Sequence, residues 1–535
     1  MADRTEAPSR AGPGPWAPLR RPVFRALWIA QATSFLGTWM QTVGAQWFLT
    51  ERSASATAVA AVQTATSLPV LLLALPSGVL ADLVDRRRVL IGSTVAATAV
   101  AVLLTALTVA DRLSSAGLLG LTALLGVTSA LTIPAWQATQ PELVPRDELP
   151  AAAALNGVSM NIARAIGPAV GGLIVAAGGP AWVFGLNAVS FLAVAGVVAG
   201  RLRPADPVRR EAERLGAAMR AGLSYVRFAP VLRRILLRAG LWALPATALW
   251  ALLPVVAAER LGLGSGGYGL LLGALGTGAL GGAVLLGRVD LRRWPNRLTA
   301  GCSLLYAATM AILALTSSPV LAFAVLLLAG ACWLAVLSTL NALAQLVLPA
   351  WVRARALATY TVVFFGGQAA GGLLWGAVAD VTSVPAALLG AAAGLVLTGL
   401  TVRRLGLYDI SHVDPSPSAH WPEPSLALDP DPDAGPVLVL SEWTVPAERA
   451  TDFVAAMSRV ARVRQRTGGR RWSLFQDGAR PDRFLESYLV PSWAEHLRQH
   501  QERLTVTDAR AESAARQLAS APPTVSHLFV PAAPD

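Results

Sequence analysis

Two acids and three arginines crowd into GVLADLVDRRRVL, where Gly78, Asp82, Asp85, Arg86, Arg87 and Arg88 stand between two long apolar runs. Carboxylates and guanidiniums at that density can pair with one another, with helix-terminal amides or with lipid phosphate. They are costly inside hydrocarbon, so they mark a turn at a membrane surface. A second candidate is Arg164, which falls within an apolar run ahead of Pro168, with Asn161 nearby on the same helical face. Two placements are open: it faces a cavity or an acid across a bundle, or it snorkels to the surface if the run is shifted by a turn. Gln31, Trp39, Gln41, Gln46, Asn341, Gln345, Tyr360, Phe364 and Gln368 also interrupt apolar runs and could line a path for an aromatic or amphipathic solute. Each taken singly also fits as packing or as an interfacial anchor. His496 and His500 have the one-turn spacing of a metal pair, but no third ligand is evident. They read as surface polar residues, and no metal site or cofactor is expected.

The elements that must hold these residues are membrane helices. Hydrophobic residues make up 54% of the 535, charged residues 14%, and the mean hydropathy is +0.52, which places the chain among polytopic membrane proteins. Lysine is absent, so the net charge of +12 comes from arginine. Most of those arginines fall in loops on one side, which favours positive-inside topology over nucleic-acid binding. Cys302 and Cys332 lie in apolar runs and read as packing residues. The phosphate loop of an ATP-driven pump is missing. No acid or histidine falls clearly in mid-span, so no proton carrier is identified, and Glu51, Asp111, Glu259 and Asp380 read as solvated residues at helix ends.

Spans of roughly 20 apolar residues fit near 23–49, 57–81, 89–110, 115–138, 153–177, 181–200, 233–257, 267–288, 298–316, 319–345, 355–379 and 384–402. The expected architecture is therefore an all-α membrane protein of twelve transmembrane helices. It would sit in the cell (inner or plasma) membrane with both termini cytoplasmic. PELVPRDELPAAAALNG ahead of Gly167, Gly171 and Gly172 is echoed by AQLVLPAWVRARALATY ahead of Gly366, Gly367, Gly371 and Gly372, which suggests two repeated six-helix bundles. The expected domains are a disordered cytoplasmic tail (1–22), an N-terminal bundle (23–203), a linker with an amphipathic helix (204–232), a C-terminal bundle (233–405), a Pro/Asp-rich linker (406–435) and a small soluble α+β domain (436–531). Leu215, Met219, Leu223 and Val226 recur at helical spacing among arginines, as in a helix lying on an anionic leaflet or a solvated linker helix. In the last domain, strands and helices follow the order β-α-β-β-α-β of a ferredoxin-like fold.

Three blocks, LGTWMQTVGAQWFL, GVLADLVDRRRVL and QPELVPRDELPAAAALNGVSMNIARAIGPAVGGLI, resemble the major facilitator superfamily in its transmembrane secretion effector branch, the one related to enterobactin exporters. The resemblance spans nearly the whole chain. It implies a pseudo-symmetric pair of bundles in which Gly78, Asp82, Asp85 and Arg86 to Arg88 form a cytoplasmic gating latch. Leu83 stands where the superfamily often has arginine. Asn161, Arg164, Gly167, Pro168, Gly171 and Gly172 are similar to the fifth-helix motif of exporters and antiporters. The resemblance further implies a secondary-active transporter, not an enzyme, that exports a small organic substrate such as a siderophore, drug or secondary metabolite by alternating access with proton coupling. Uptake of a metabolite by the same fold is the alternative. The terminal domain resembles the antibiotic-biosynthesis monooxygenase-like fold, which often dimerises; a non-catalytic pairing domain is expected, with a membrane-tethered monooxygenase-like enzyme as its alternative.

Overall fold

The computed structural model of the chain describes residues 14–52, 54–145, 147–202, 215–287, 293–422, 424 and 426–531, with backbone alone at 74–75, 78–83, 138, 141, 215–221 and 354. Its helices are α1 (Pro22–Glu51), α2 (Ala56–Leu83), α3 (Arg86–Val109), α4 (Ser115–Leu143), α5 (Leu149–Gly178), α6 (Pro180–Arg201), α7 (Leu215–Phe228), α8 (Pro230–Val255), α9 (Ser265–Leu286), α10 (Pro295–Leu315), α11 (Pro319–Val347), α12 (Ala350–Val381), α13 (Val384–Leu400) and the short α14 (Val402–Leu405). Two compact units result, one from Met1–Arg209, Ala239–Ser338 and Thr361–Arg404, the other from Arg210–Arg238, Thr339–Tyr360 and Leu405–Asp535.

Prolines open α1, α6 and α10, where a missing N–H costs nothing. Side chains cap others: Asp85 accepts from Arg87 N at 2.9 Å to start α3, and Ser114 accepts from Gly117 N at 3.0 Å to start α4. Among the described residues ten helices are long and apolar enough to cross a membrane, against the twelve expected. α1 is 30 residues long but outside the ten, its hydropathy diluted by Gln, Thr and Ser, and α13 is a shorter apolar helix of 17 residues. Threonine hydroxyls along these helices, including Thr94, Thr105 and Thr247, donate to carbonyls one turn back. In hydrocarbon every polar group must find such an internal partner.

Within the first unit α2 packs on α4, α3 on α6, α10 on α13, and α1 on both α5 and α6; α5 also packs along α9. Glycines make that last contact. A Cβ on Gly172 would lie 2.5 Å from the Ser265 carbonyl oxygen and 2.8 Å from the Gly269 Cα, so only bare backbone fits. On the α1 side, a Cβ on Gly167 would lie 2.8 Å from Trp39 Cβ, and one on Gly171 2.8 Å from Met40 Cα.

The second unit carries a sheet of β1 (Val437–Thr444), β2 (Arg470–Gln476), β3 (Arg483–Val490) and β4 (Thr524–Phe529), with α15 (Ala450–Thr467), α16 (Trp493–Arg498) and α17 (Val506–Arg516) between strands. All pairings are antiparallel and the order is β2-β3-β1-β4, with Val439 opposite both Tyr488 and His527. Alternate residues of β1 are buried, and Trp443, Phe453, Met457, Val460 and Phe484 form the core beneath α15. The Tyr225 side of α7 packs on the domain: Tyr225 is buried, Ser224 Oγ donates to the Gln465 carbonyl at 2.8 Å, and the Arg466 guanidinium stacks over Tyr225 at 5.5 Å. Of the expected apolar stripe, Leu223 is exposed, and the side chains of Leu215 and Met219 lie outside the described residues. The Pro/Asp-rich segment is likewise strapped to the domain, with Ser418 N donating to the Leu504 carbonyl at 2.9 Å and Val506 N to the Ser416 carbonyl at 3.0 Å.

Gly172→Ala should force α5 and α9 apart and destabilise the detergent-purified protein by about 1–3 kcal/mol. Gly301→Ala, at a helical glycine with open space around it, should show no loss. Thermal unfolding followed by size-exclusion chromatography checks both.

Candidate functional site

Arg164 sits midway along α5 and is partly buried. Its guanidinium stacks over the Trp39 ring of α1 at 5.7 Å, and among the described residues no carboxylate pairs with it. Trp39 begins a row of aromatic rings: Trp39 to Trp250 at 5.8 Å, Trp250 to Trp333 at 5.4 Å, and Trp333 to Phe364 at 6.2 Å. Trp242 and Tyr306 flank Trp333 at 4.9 and 6.3 Å. The row crosses α1, α8, α11 and α12, so it runs from the first six long helices into the later ones. The indole N–H groups of Trp242 and Trp250 are buried and have no acceptor among the described residues. A cation and two unsatisfied donors along an aromatic wall can together receive an acceptor-rich, anionic, ring-bearing solute.

The expected polar residues divide between roles. Gln46 is a bridge: its Nε2 donates to the Trp250 carbonyl at 3.3 Å, and Tyr268 Oη of α9 donates to its Oε1 at 2.5 Å, beside the stacked Trp47–Tyr268 pair at 5.9 Å. Gln368 accepts from Gln63 of α2 at 3.1 Å, next to Thr64 Oγ1 donating to the Ala369 carbonyl at 2.8 Å. Gln41 instead accepts from Asn187 inside the α1–α6 packing, and Gln31 is buried. Asn341, Gln345 and Tyr360 belong to the second unit, where Gln345 donates to Asn341 one turn away and Tyr360 is buried. Asn161 spends its amide on the Gly157 carbonyl at 2.9 Å.

Around the charged turn, the side chains of Gly78 and Asp82 lie outside the described residues. Asp85 caps α3, Arg86 pairs with Glu142, Arg87 donates to the Ala199 carbonyl at 2.7 Å, and Arg88 is exposed. Asp380, expected as a solvated helix end, is a cap: its carboxylate accepts from Ala56 N at 2.7 Å and Thr57 N at 3.0 Å, joining the end of α12 to the start of α2. A cavity of about 550 Å³ opens beside it, lined among others by Ser55, Glu259, Arg260 and Ser383. Glu51 also has a partner, accepting from Trp47 Nε1 at 2.6 Å.

The α+β domain holds a separate buried polar cluster. Arg464 donates to Glu486 at 3.0 Å and pairs with Glu512, while Trp421 of the strap stacks on its guanidinium at 4.6 Å and donates to Glu512 at 2.7 Å. Burial pushes the Glu512 carboxyl up, but Arg464 and the hydrogen bonds from His420 and Trp421 outweigh it and hold it at about 2. Beside this network lie His496, His500 and a third imidazole, His527 of β4, which the sequence reading missed. His496 is buried and not, as expected, a surface residue.

Comparison with known proteins agrees with the bundle architecture. The family described as "Transmembrane secretion effector" matches residues 13–534, including the α+β domain. The enterobactin exporter EntS of Escherichia coli K12 is 26% identical over 401 residues, covering 74% of this chain and 94% of its own length; that of Citrobacter koseri is 28% identical over 391 residues, covering 72% and 92%. Among solved structures, a bacterial homologue of the human lysosomal transporter Spinster, inward-facing and occupied, superposes with a TM-score of 0.56 at 15% identity, covering 73% of this chain and 96% of its own. The nucleoside transporter NupG gives 0.53 at 13%, covering 72% and 100%.

Gln46→Leu should leave the Tyr268 hydroxyl without an acceptor at a cost of about 1–3 kcal/mol, seen as a lower unfolding midpoint that Tyr268→Phe in the same chain partly restores. In the α+β domain, Glu512→Gln should cost about 3 kcal/mol by stripping Arg464 of one buried partner. The depressed Glu512 carboxyl adds stability that is complete above the usual carboxylate range near 4.5 and lost as pH falls toward about 2. The variant should therefore show a flatter acid limb than the parent in fluorescence-monitored unfolding.

Proposed function

The chain belongs to the transmembrane secretion effector family, and from that premise we propose that this multi-pass transporter exports an anionic, aromatic-bearing organic solute of the siderophore or secondary-metabolite class. The observation that carries the reading is Arg164, a guanidinium stacked on Trp39 in mid-bundle with no carboxylate partner among the described residues. An uncompensated charge in hydrocarbon is retained where a ligand supplies the counter-charge. The unsatisfied indoles of Trp242 and Trp250 add donors, and the rings from Trp39 to Phe364 add flat surface for stacking. Export follows the name carried by the enterobactin exporters, whose length the chain nearly spans.

Alternating access gives the remaining residues their roles. In the proposed orientation both termini are cytoplasmic, and α1 and α13 join the ten apolar helices as spans, giving two six-helix bundles. The α5–α9 glycine contact and the Asp380 cap on α2 then close the external side. Gly78, Asp82, Asp85 and Arg86 to Arg88 form the opposite, cytoplasmic latch, which closes when the external contacts part. Proton antiport, which the family resemblance implies, is the proposed drive. The β2-β3-β1-β4 order supports a ferredoxin-like reading of the terminal domain, proposed as a non-catalytic pairing module.

Proteoliposomes carrying the purified protein and an imposed pH gradient test the reading. A panel of siderophores, aromatic carboxylates and amphipathic cations should show saturable movement of anions. Arg164→Ala should lower kcat/KM for them about 10- to 100-fold, the loss of one desolvated charge pair, and Arg164→Lys should restore only part. Unchanged anion transport by Arg164→Ala, or transport of cations alone, overturns the assignment.

A further inference from the structure

We propose that His496, His500 and His527 form a binding site for one divalent transition-metal ion, of the zinc class, within the α+β domain. The three side chains come from two elements. His496 and His500 follow one another across the junction of α16 with a π-helical turn over Gln499–Arg503, a local widening of the helix that recurs at functional sites. His527 comes from the edge strand β4, held opposite Val439 by the β1 ladder. Their Nε2 atoms converge: that of His496 lies 2.9 Å from that of His527 and 3.2 Å from that of His500, and the donor atoms of all three lie within 4.8 Å of one another. Nitrogens bound tetrahedrally to zinc at about 2.0–2.1 Å stand about 3.3 Å apart; the two His496 contacts are near that spacing, and the rings of His500 and His527 must turn to bring the widest pair, within 4.8 Å, to it.

Hydrogen bonding fixes what His496 offers to that convergence. Thr467 Oγ1 donates to the Val463 carbonyl at 2.9 Å, so it accepts from Gln499 Nε2 at 2.6 Å. That orientation turns Gln499 Oε1 toward His496 Nδ1 at 3.3 Å. An amide oxygen only accepts, so Nδ1 carries the ring proton and Nε2 presents a lone pair. One lone pair accepts one N–H, yet two imidazole nitrogens lie within hydrogen-bond reach of it. A single cation satisfies all three nitrogens at once, and the Gln499 contact to the far side of the ring is the outer-shell support that metal-binding histidines use.

The surroundings choose the class of ion. Three imidazoles without carboxylate or thiolate suit zinc, copper or nickel and reject magnesium and calcium. Glu512, the carboxylate of the neighbouring cluster, is committed to Arg464, His420 and Trp421. Rings form the wall, with Trp421 edge-on to His500 at 4.5 Å and Trp493 at 5.4 and 5.5 Å from His496 and His527. A fourth position is left for water or a small anion. Bound there, the ion would tie β4, the last strand, to α16 and stabilise the folded domain by binding it in preference to the unfolded chain.

The test uses the untagged full-length protein in detergent, stripped with chelator and titrated with zinc against a chromophoric competitor, with elemental analysis for stoichiometry. One zinc per chain is expected, and cobalt in its place should give the intense visible absorption of a four-coordinate ion. His500→Ala and His527→Ala should each weaken zinc binding about 100-fold or more, whereas His412→Ala, at an exposed histidine outside the cluster, should leave it unchanged. Thermal unfolding of the metal-free variants reports whether each is still folded, and Gln499→Leu, which removes the outer-shell acceptor together with its hydrogen bond to Thr467 and leaves all three imidazoles in place, should weaken binding about 10-fold. Failure of the parent chain to hold stoichiometric zinc overturns the assignment, as does zinc binding that persists when His500 and His527 are both replaced.

Discussion

Backbone-to-backbone approach along α5 is the constraint on which the membrane unit depends. Gly167 and Gly171 admit α1, and Gly172 admits the start of α9, so a single helix is gripped on two sides with no side chain between. Association in lipid lacks a hydrophobic driving force between helices, and close van der Waals contact takes its place. Once α5 is held at that distance, its rotation is fixed. Arg164, one turn before the glycines, is then aimed at Trp39, and the aromatic row from Trp39 to Phe364 follows from where α1, α8, α11 and α12 must lie. The glycines are thus positioning residues for a charge they do not touch.

Some of this was legible in the amino-acid sequence because it breaks the surrounding pattern. Arginines and acids interrupting apolar runs located the turn at Asp85, and GPAVGG stood out against the larger residues beside it. The strands of the α+β domain were legible because alternate burial leaves a period of two, as on β1. What stayed hidden looks ordinary in one dimension. Trp333, Tyr306 and Tyr268 are aromatic residues among apolar ones, and nothing in spacing reveals that they meet Trp242 and Gln46. Asp380 ends a helix as solvated acids do, and only the approach of α2 makes it a cap. The contact of α7 with α15 was hidden as well, since it uses Ser224 and Tyr225 and not the apolar stripe that the spacing marks. His527 lies in a strand far along the chain from His496, so the trio exists only after β4 pairs with β1.

The two units handle buried polarity by different means, and the difference follows from their solvents. In the membrane unit the hydroxyls of Thr94, Thr105 and Thr247 fold back onto their own helices, because an unmet group in hydrocarbon has no water to fall back on. The α+β domain instead concentrates charge. Arg464, Glu486 and Glu512 are nearly inaccessible, and Trp421 from the strap closes over them. Such a network adds little net stability over apolar packing, but it penalises any arrangement that leaves one member unpaired. The strap is therefore held in register by the charges it covers, which is why a proline-rich segment with no core of its own follows one path.

A chain without lysine uses arginine for every fixed cation, and at position 164 the distinction is physical. A guanidinium is planar and weakly hydrated, so it lies flat over Trp39 while keeping its N–H groups in plane for a carboxylate or phenolate. An ammonium in the same place would either keep a hydration shell between itself and the ring or give up its proton under desolvation, losing the close contact in the first case and the charge in the second. The stacking on Trp39 also restricts the side chain before any solute arrives, which lowers the ordering entropy that binding must overcome. Arg164 is thus pre-oriented by the helix that the α5 glycines bring beside it, and the packing constraint and the charge act as one device.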